Sequence, residues 1–288
     1  MTPWFRFSVA VSLLAALAGC SGTERAQSGA ADAASVSETT RGANPAEAAY
    51  PGRVIHVLVA LCDNVHQGIV PVPARLGNGD DPQGNLYWGA AYGVKSFLSK
   101  GPEWKLISAM RNPKVAVLER CVFKRRDRGV YLIADAYRGA EIKRSITDFF
   151  DYASGGNFEL AQVKANAGDL TLAAGAGADL IVFVGHNGLM DFDLPAYPTQ
   201  RDTRRRDAMI LCCASKNYFA RPLRPSGANP VLWTTGLMAP EAYVLKAAVE
   251  GWVRSEGGEQ IRSRAAGAYH TYQRCGLTAA RNLFTTGW

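Results

Sequence analysis

Four stretches of the chain are apolar almost without a break: residues 53–62 (RVIHVLVALC), 179–185 (DLIVFVG), 207–212 (DAMILC) and 230–234 (PVLWT). Runs of this length, rich in aliphatic and β-branched residues and without polar alternation, predict strands buried on both faces of a parallel sheet. Helical spacing appears elsewhere. Leu86, Ala90, Val94 and Phe97 predict a helix over residues 85–97, and Ile142, Ile146, Phe149 and Phe150 predict one over 141–152. Pro240 suits the first turn of a helix over 240–254, and 261–284 reads as one or two more. Residues 114–123 and 130–136 are expected to form a hairpin around the basic, glycine-containing turn 124–129. Residues 173–178 read as a link of small residues. The stretch 65–83, broken by Pro71, Pro73, Gly77, Gly79 and Pro82, reads as a long loop of the kind that often carries function. Strands alternating with helices imply an α/β domain, a three-layer αβα sandwich with a mostly parallel sheet.

The amino-terminal pattern is different. A short apolar run, residues 8–18, follows a single arginine and is too short to span a bilayer as a mature helix. It has the layout of a signal peptide. Leu17-Ala18-Gly19-Cys20 resembles a bacterial lipobox, which implies that residues 1–19 are removed and that Cys20 carries a lipid. Ser21 stands where an inner-membrane retention signal would place Asp, which leans towards the outer membrane, facing the periplasm. Residues 20–52, rich in Ala, Ser, Gly and Thr, read as a flexible tether. The folded domain is then 53–288.

Of the 288 residues, 48% are hydrophobic and 20% charged, enough apolar content for a sizeable core. The net charge of +7 comes largely from basic runs at 124–128 and 201–206. No base-stacking or recognition motif accompanies them, so they read as solvated loops rather than a nucleic-acid surface. Apart from Cys20 there are five cysteines, Cys62, Cys121, Cys212, Cys213 and Cys275. No CxxC pair occurs, so neither a zinc ribbon nor a thioredoxin-type motif is supported. His56 and Cys62 sit too far apart on one strand to share a metal; Cys62 with His66 remains open.

The candidate chemistry lies where strands stop. In α/β sheets ligands bind beyond the carboxyl ends of the strands, and there the sequence places Asp63, His186 and Cys213. Neighbouring parallel strands would bring His186 within reach of Cys213, a base beside a thiol nucleophile. Cys212 belongs to the strand and reads as packing, with Cys213 the preferred nucleophile. Gly-x-Ser-x-Gly and phosphate-loop patterns do not occur.

Asp179 to Val184, then Gly185-His186, and Met209-Ile210-Leu211-Cys212 followed by Cys213-Ala214-Ser215 resemble the His and Cys motifs of the caspase–hemoglobinase superfamily of cysteine peptidases. The resemblance covers about residues 54–253. It implies a caspase-like fold, a His186/Cys213 dyad hydrolysing peptide or protein substrates, and no cofactor or metal. It also implies a backbone oxyanion donor near Gly188, although the turn reads His186-Asn187-Gly188 rather than His-Gly. At the end of the first strand, Asp63 could line a pocket selecting Lys or Arg, or could simply cap a turn. The rival reading is a non-catalytic envelope lipoprotein that uses the same pocket, or the 65–83 loop, to bind a peptide or cell-wall fragment.

Overall fold

The computed structural model describes residues 52–164 and 168–288. Cys20, the signal peptide and all but the last residue of the tether lie outside the described residues.

In chain order the elements are β1 (Arg53–Ala60), α1 (Val94–Lys100), β2 (Trp104–Lys114), β3 (Val117–Arg125), β4 (Val130–Tyr137), α2 (Ile142–Ala153), β5 (Phe158–Val163), β6 (Leu170–Gly175) and β7 (Leu180–Val184). There follow β8 (Asp207–Leu211), α3 (Ser215–Leu223), β9 (Asn229–Thr234), α4 (Ala242–Val253), α5 (Gly258–Gln273), α6 (Leu277–Leu283) and β10 (Phe284–Thr285). Eight strands form one sheet in the order β10-β9-β8-β7-β1-β4-β3-β2. Its centre, β9-β8-β7-β1-β4, is parallel, whereas β3, β2 and β10 run antiparallel to their neighbours. This is the expected α/β class with a mostly parallel sheet.

The apolar runs do what their lack of alternation requires. Along β1, Ile55, Val57 and Val59 join one core with α1, α4 and α5. Val54, Leu58 and Ala60 join the other, with α2, α3 and the β5–β6 hairpin. Helices therefore cover both faces. Phe149 and Phe150 of α2 pack against Phe219 of α3 and, for Phe149, Phe183 of β7, with ring centroids 5.4–6.2 Å apart. Such aromatic pairs add about 0.5–1.5 kcal/mol each beyond their buried area.

Three expectations are corrected. Residues 85–93 are turns, and helix begins only at Val94. The Asn85 side chain binds the backbone amide and carbonyl of Cys62, at 3.1 and 2.8 Å, and its Oδ1 also accepts the Tyr87 amide. The segment is thus a plug over the end of β1. The 173–178 link is half strand, because β6 pairs antiparallel with β5. The expected hairpin across 124–129 forms, but its first strand starts at Val117 and is preceded by β2, which sequence patterning missed. β2 ends the sheet and departs from regular pairing twice, between Leu106 and Ser108 and between Arg111 and Lys114. Asn112 there has φ +48°.

Beneath the β5–β6 hairpin the core is ionic. His56 and Asp135 are both fully buried, with His56 Nε2 3.1 Å from Asp135 Oδ2. Arg120 donates twice to Asp135 at 2.6 Å and once to Glu159 at 3.2 Å. Glu159 also receives the Tyr152 hydroxyl at 2.5 Å and pairs with Lys114. His56 Nδ1 accepts the Gly175 amide at 2.9 Å and the ring stacks on Tyr152. The chain β4–β3–β5 is thereby pinned over β1.

The basic run at 201–206 is mostly consumed internally: Arg201 pairs with Asp151, Arg204 with Asp179 and Arg206 with Asp202. No described helix is long and apolar enough to cross a membrane.

Candidate active site at the carboxyl edge of the sheet

β7 and β8 are adjacent and parallel, with Val184 opposite Leu211. The residues that follow, His186 and Cys213, therefore leave the same edge side by side. Gly185 makes the first turn possible. Its φ is +151°, and a Cβ there would fall 2.9 Å from the Ala60 carbonyl oxygen. Only glycine fits both the backbone and the close approach to β1.

Cys213 sits between β8 and α3. The next residue, Ala214, is left-handed at φ +46°, a conformation costing a non-glycine residue about 1–2 kcal/mol. The surroundings hold it there. The Ala214 amide donates to the Gly236 carbonyl at 2.8 Å. The Ser215 hydroxyl donates to the Ile210 carbonyl and accepts the Thr234 amide, each at 2.8 Å. The Thr234 hydroxyl in turn bonds the Cys212 carbonyl. Ser215, the Ser of the Cys-x-Ser pattern, thus ties β8 to β9 and is structural.

The two turns touch. Asn187 Nδ2 donates to the Cys213 carbonyl at 2.6 Å, while its Oδ1 accepts the Leu189 amide at 3.2 Å. His186 Nε2 lies 2.7 Å from Asp191 Oδ2, which also accepts the Gly68 amide at 3.1 Å. An ionised carboxylate only accepts, so the imidazole proton lies on Nε2 and Nδ1 carries the free lone pair. Asp191 is the residue sequence reasoning missed. Its signal was an acidic side chain five positions after the histidine, within the same turn.

The Cys213 thiol rests on the backbone of Met238, 3.4 Å from both its carbonyl and its amide. The imidazole and the thiol hold these separate partners and form no hydrogen bond with each other. Cys213 is half-buried and Cys275 exposed, whereas Cys62, Cys121 and Cys212 are buried, and all five are free thiols. Burial pushes Cys62 up to about 11 and Cys121 to about 12, and holds Cys212 well above the ordinary thiol range. Cys212 packs with Ile210 and Phe219, the place its position in the strand implies.

Gly188 and Asp63 are placed at the site but are otherwise occupied. The Gly188 amide donates to the His186 carbonyl at 3.1 Å, so in this arrangement it is not a free oxyanion donor. Asp63 Oδ1 accepts the Val65 and His66 amides at 2.8 and 3.1 Å, and Oδ2 meets His66 Nδ1 at 2.9 Å. Burial pushes this carboxyl up, but the His66 and amide bonds outweigh it and the net shift is downwards. Gly79 and Gly139 close over it; a Cβ on either would fall within 2.4 Å of the Asp63 side chain. Of its two expected roles, turn capping is the one this geometry supplies. His66 is thereby committed to Asp63, and no group of three His, Cys, Asp or Glu residues converges among the described residues as metal ligands would.

The rim is apolar. Val65, Val70 and Leu237 are 81, 87 and 75% exposed, and only Val115, on the β2–β3 turn, is more than 70% exposed elsewhere among the large apolar residues described. Leu237 precedes Met238, whose amide holds the Cys213 sulfur, and Val65 and Val70 lie three residues before and two after Gly68, whose amide binds Asp191.

Comparison with protein-family models, with curated proteins and with solved structures finds no match to this chain.

Proposed function

We propose that the chain is an envelope lipoprotein whose caspase-like domain is a cysteine-dependent peptidase. The observation that carries this reading is the pair of abutting turns on adjacent parallel strands, which set a thiol bound by a backbone amide beside a carboxylate-oriented imidazole. Rotation about the Cys213 Cα–Cβ bond frees the sulfur from the Met238 carbonyl and turns it towards His186 Nδ1, a tightening expected on substrate binding. Nδ1 takes the thiol proton and the thiolate attacks the scissile carbonyl carbon. The C–N bond breaks as the imidazolium returns that proton to the leaving amine. Water, deprotonated by the same nitrogen, then hydrolyses the thioester to acid and free thiol. Asp191 holds the ring in the tautomer this sequence needs. The Ala214 and Ser215 amides are already given to the Gly236 carbonyl and the Thr234 hydroxyl, so the oxyanion donor at hand is the Met238 amide, released when the sulfur moves to attack. The apolar rim suits polypeptide side chains, and the enclosed Asp63 argues against selection of Lys or Arg by that residue.

One observation favours the rival, a binding lipoprotein with a degenerate site: the thiol and the imidazole each have other partners. Cysteine alkylation with pH separates the two. In the enzyme, iodoacetamide labels Cys213 well below the pH of a free thiol, about 8.5, and His186→Ala moves that reactivity upwards. Cys275, exposed and remote from His186 in sequence, is the internal control and titrates identically in both proteins. If Cys213 is indifferent to His186, the binding reading replaces the peptidase.

Anchoring rests on Cys20. A clickable fatty acid fed to expressing cells is expected to label the protein in the outer-membrane fraction, and Cys20→Ala to lose the label and appear in the soluble periplasmic fraction. Labelling that survives the substitution would move the anchor elsewhere.

A further inference from the structure

At the opposite, amino-terminal edge of the sheet lies a cavity of about 560 Å³. That volume is within the range of about 300–1,000 Å³ typical of small-molecule sites. β1, β8 and β9 open into it through Arg53, Asp207 and Asn229, and α4 and α5 wall it through Trp252 and Gly258.

Its charges do not balance internally. Each carboxylate on the wall already has its donors: arginines from outside the wall for Asp179 and Glu256, neutral groups for Asp207. Asp179 pairs with Arg204 at 2.7 Å and accepts the Val54 amide at 2.7 Å. Asp207 accepts from Asn229 Nδ2 at 2.6 Å and from Trp252 Nε1 at 2.8 Å. Glu256 takes both arms of Arg264 at 2.5 Å. The two arginines are not matched. The Arg53 guanidinium carbon lies over the indole of Trp252, 3.6 Å from its centroid, and among the described residues neither Arg53 nor Arg205 has a carboxylate partner. Stacking engages the face of a guanidinium and leaves its edge of N–H donors open. The 16-residue α5 begins at Gly258 on the same wall, adding first-turn amides and the positive end of the helix dipole.

We propose that this cavity binds a small phosphorylated molecule. Two unpaired guanidiniums and a helix start suit an oxyanion of more than one charge, which Arg53 and Arg205 would hold by forked hydrogen bonds. Val231 and Ile261, on the remaining wall, suit an apolar portion of the same ligand. The site is independent of the thiol chemistry at the other edge.

Calorimetry with inorganic pyrophosphate, in buffer free of other multivalent anions, tests it. One site per chain is expected, with Kd raised at least tenfold by Arg205→Gln. Arg205 is exposed, so the substitution spares the fold, which an unchanged melting midpoint checks. Arg126→Gln, an equally exposed arginine outside the cavity, is expected to leave Kd within twofold. Absence of saturable binding overturns the proposal. Equal weakening by both substitutions does so too, because it shows diffuse surface charge. Citrate binding as tightly as pyrophosphate overturns the assignment to phosphate.

Discussion

Cys213→Ala is expected to lower peptide hydrolysis by about 10⁴-fold or more, the loss that follows when a covalent nucleophile is removed and only binding and oxyanion stabilisation remain. The fold has little reason to respond. Cys213 is half-buried, its thiol hydrogen-bonds with the Met238 backbone, and the turn is pinned through Asn187, Ser215 and Thr234 rather than through sulfur. A urea midpoint near wild type would establish this. His186→Ala should fall comparably, and the double substitution should be little worse than either alone, because nucleophile and base act as one unit. Cys212→Ala is the informative contrast: its sulfur is fully buried among core side chains, so stability drops while turnover per folded molecule persists. Hydrolysis of a peptide library, normalised to folded protein, reads all four variants. Wild-type turnover in Cys213→Ala would refute the mechanism outright.

The second large effect concerns stability. Asp135→Ala is expected to cost about 3–5 kcal/mol, the range for removing one partner of a buried ion pair. The alanine leaves Arg120 without its two-pronged acceptor and His56 without the partner of Nε2, both beneath the β5–β6 hairpin. Burial pushes the Asp135 carboxyl up, but Arg120 and then His56 outweigh it and hold it well below the usual carboxylate range. A depressed folded-state value means that this stabilisation is fully present above the unfolded carboxylate value, about 3.9. It is lost only as pH falls below that value towards the folded one. Chemical unfolding from pH 5 to 8 should therefore show a constant Asp135→Ala deficit that shrinks in stronger acid. Replacing His56, Arg120 and Asp135 together by apolar residues of similar volume should recover much of the loss, since a well-packed apolar set often matches a buried ionic one. A deficit under 1 kcal/mol for Asp135→Ala would show that the cluster is solvated or dispensable.

The parts of this structure legible in sequence are those where burial is two-sided. β1, β7, β8 and β9 are short and mainly apolar; β4 is as fully buried and parallel to β1, but Asp135 interrupts its apolar run and the turn before it reads as a hairpin. The ends of β7 and β8 alone put His186 and Cys213 at one edge of the sheet. What could not be read there depends on partners distant in sequence. β2 is exposed along much of its length and alternates poorly, because its pairing with β3 rather than a core face defines it. The second half of β6, Ala173-Ala174-Gly175, carries little strand preference and is strand because β5 lies beside it. The 85–93 segment has helical spacing, but Asn85 spends its side chain on Cys62, and Gly89 and Gly93 abut other backbone too closely for a side chain. At the site, Asp63 turned out to face its own amides two and three residues on, a habit of Asp at strand ends. Asp191 lies beyond the motif and gains meaning only because a short 3-10 turn (Gly188–Met190) folds it back onto His186.

An eight-stranded sheet ends in two edges, and each is spoiled as a template. One is β10, only two residues long. The other is β2, long enough to recruit a foreign strand but broken in register twice, bent at Asn112, followed there by Pro113 and studded with Lys105, Arg111 and Lys114. A proline cannot donate to a new ladder, and lysines and arginines along an edge repel a second copy. A protein crowded onto a membrane by a lipid anchor would meet its own copies at high local density. Edges built this way let the sheet stay solitary in that company.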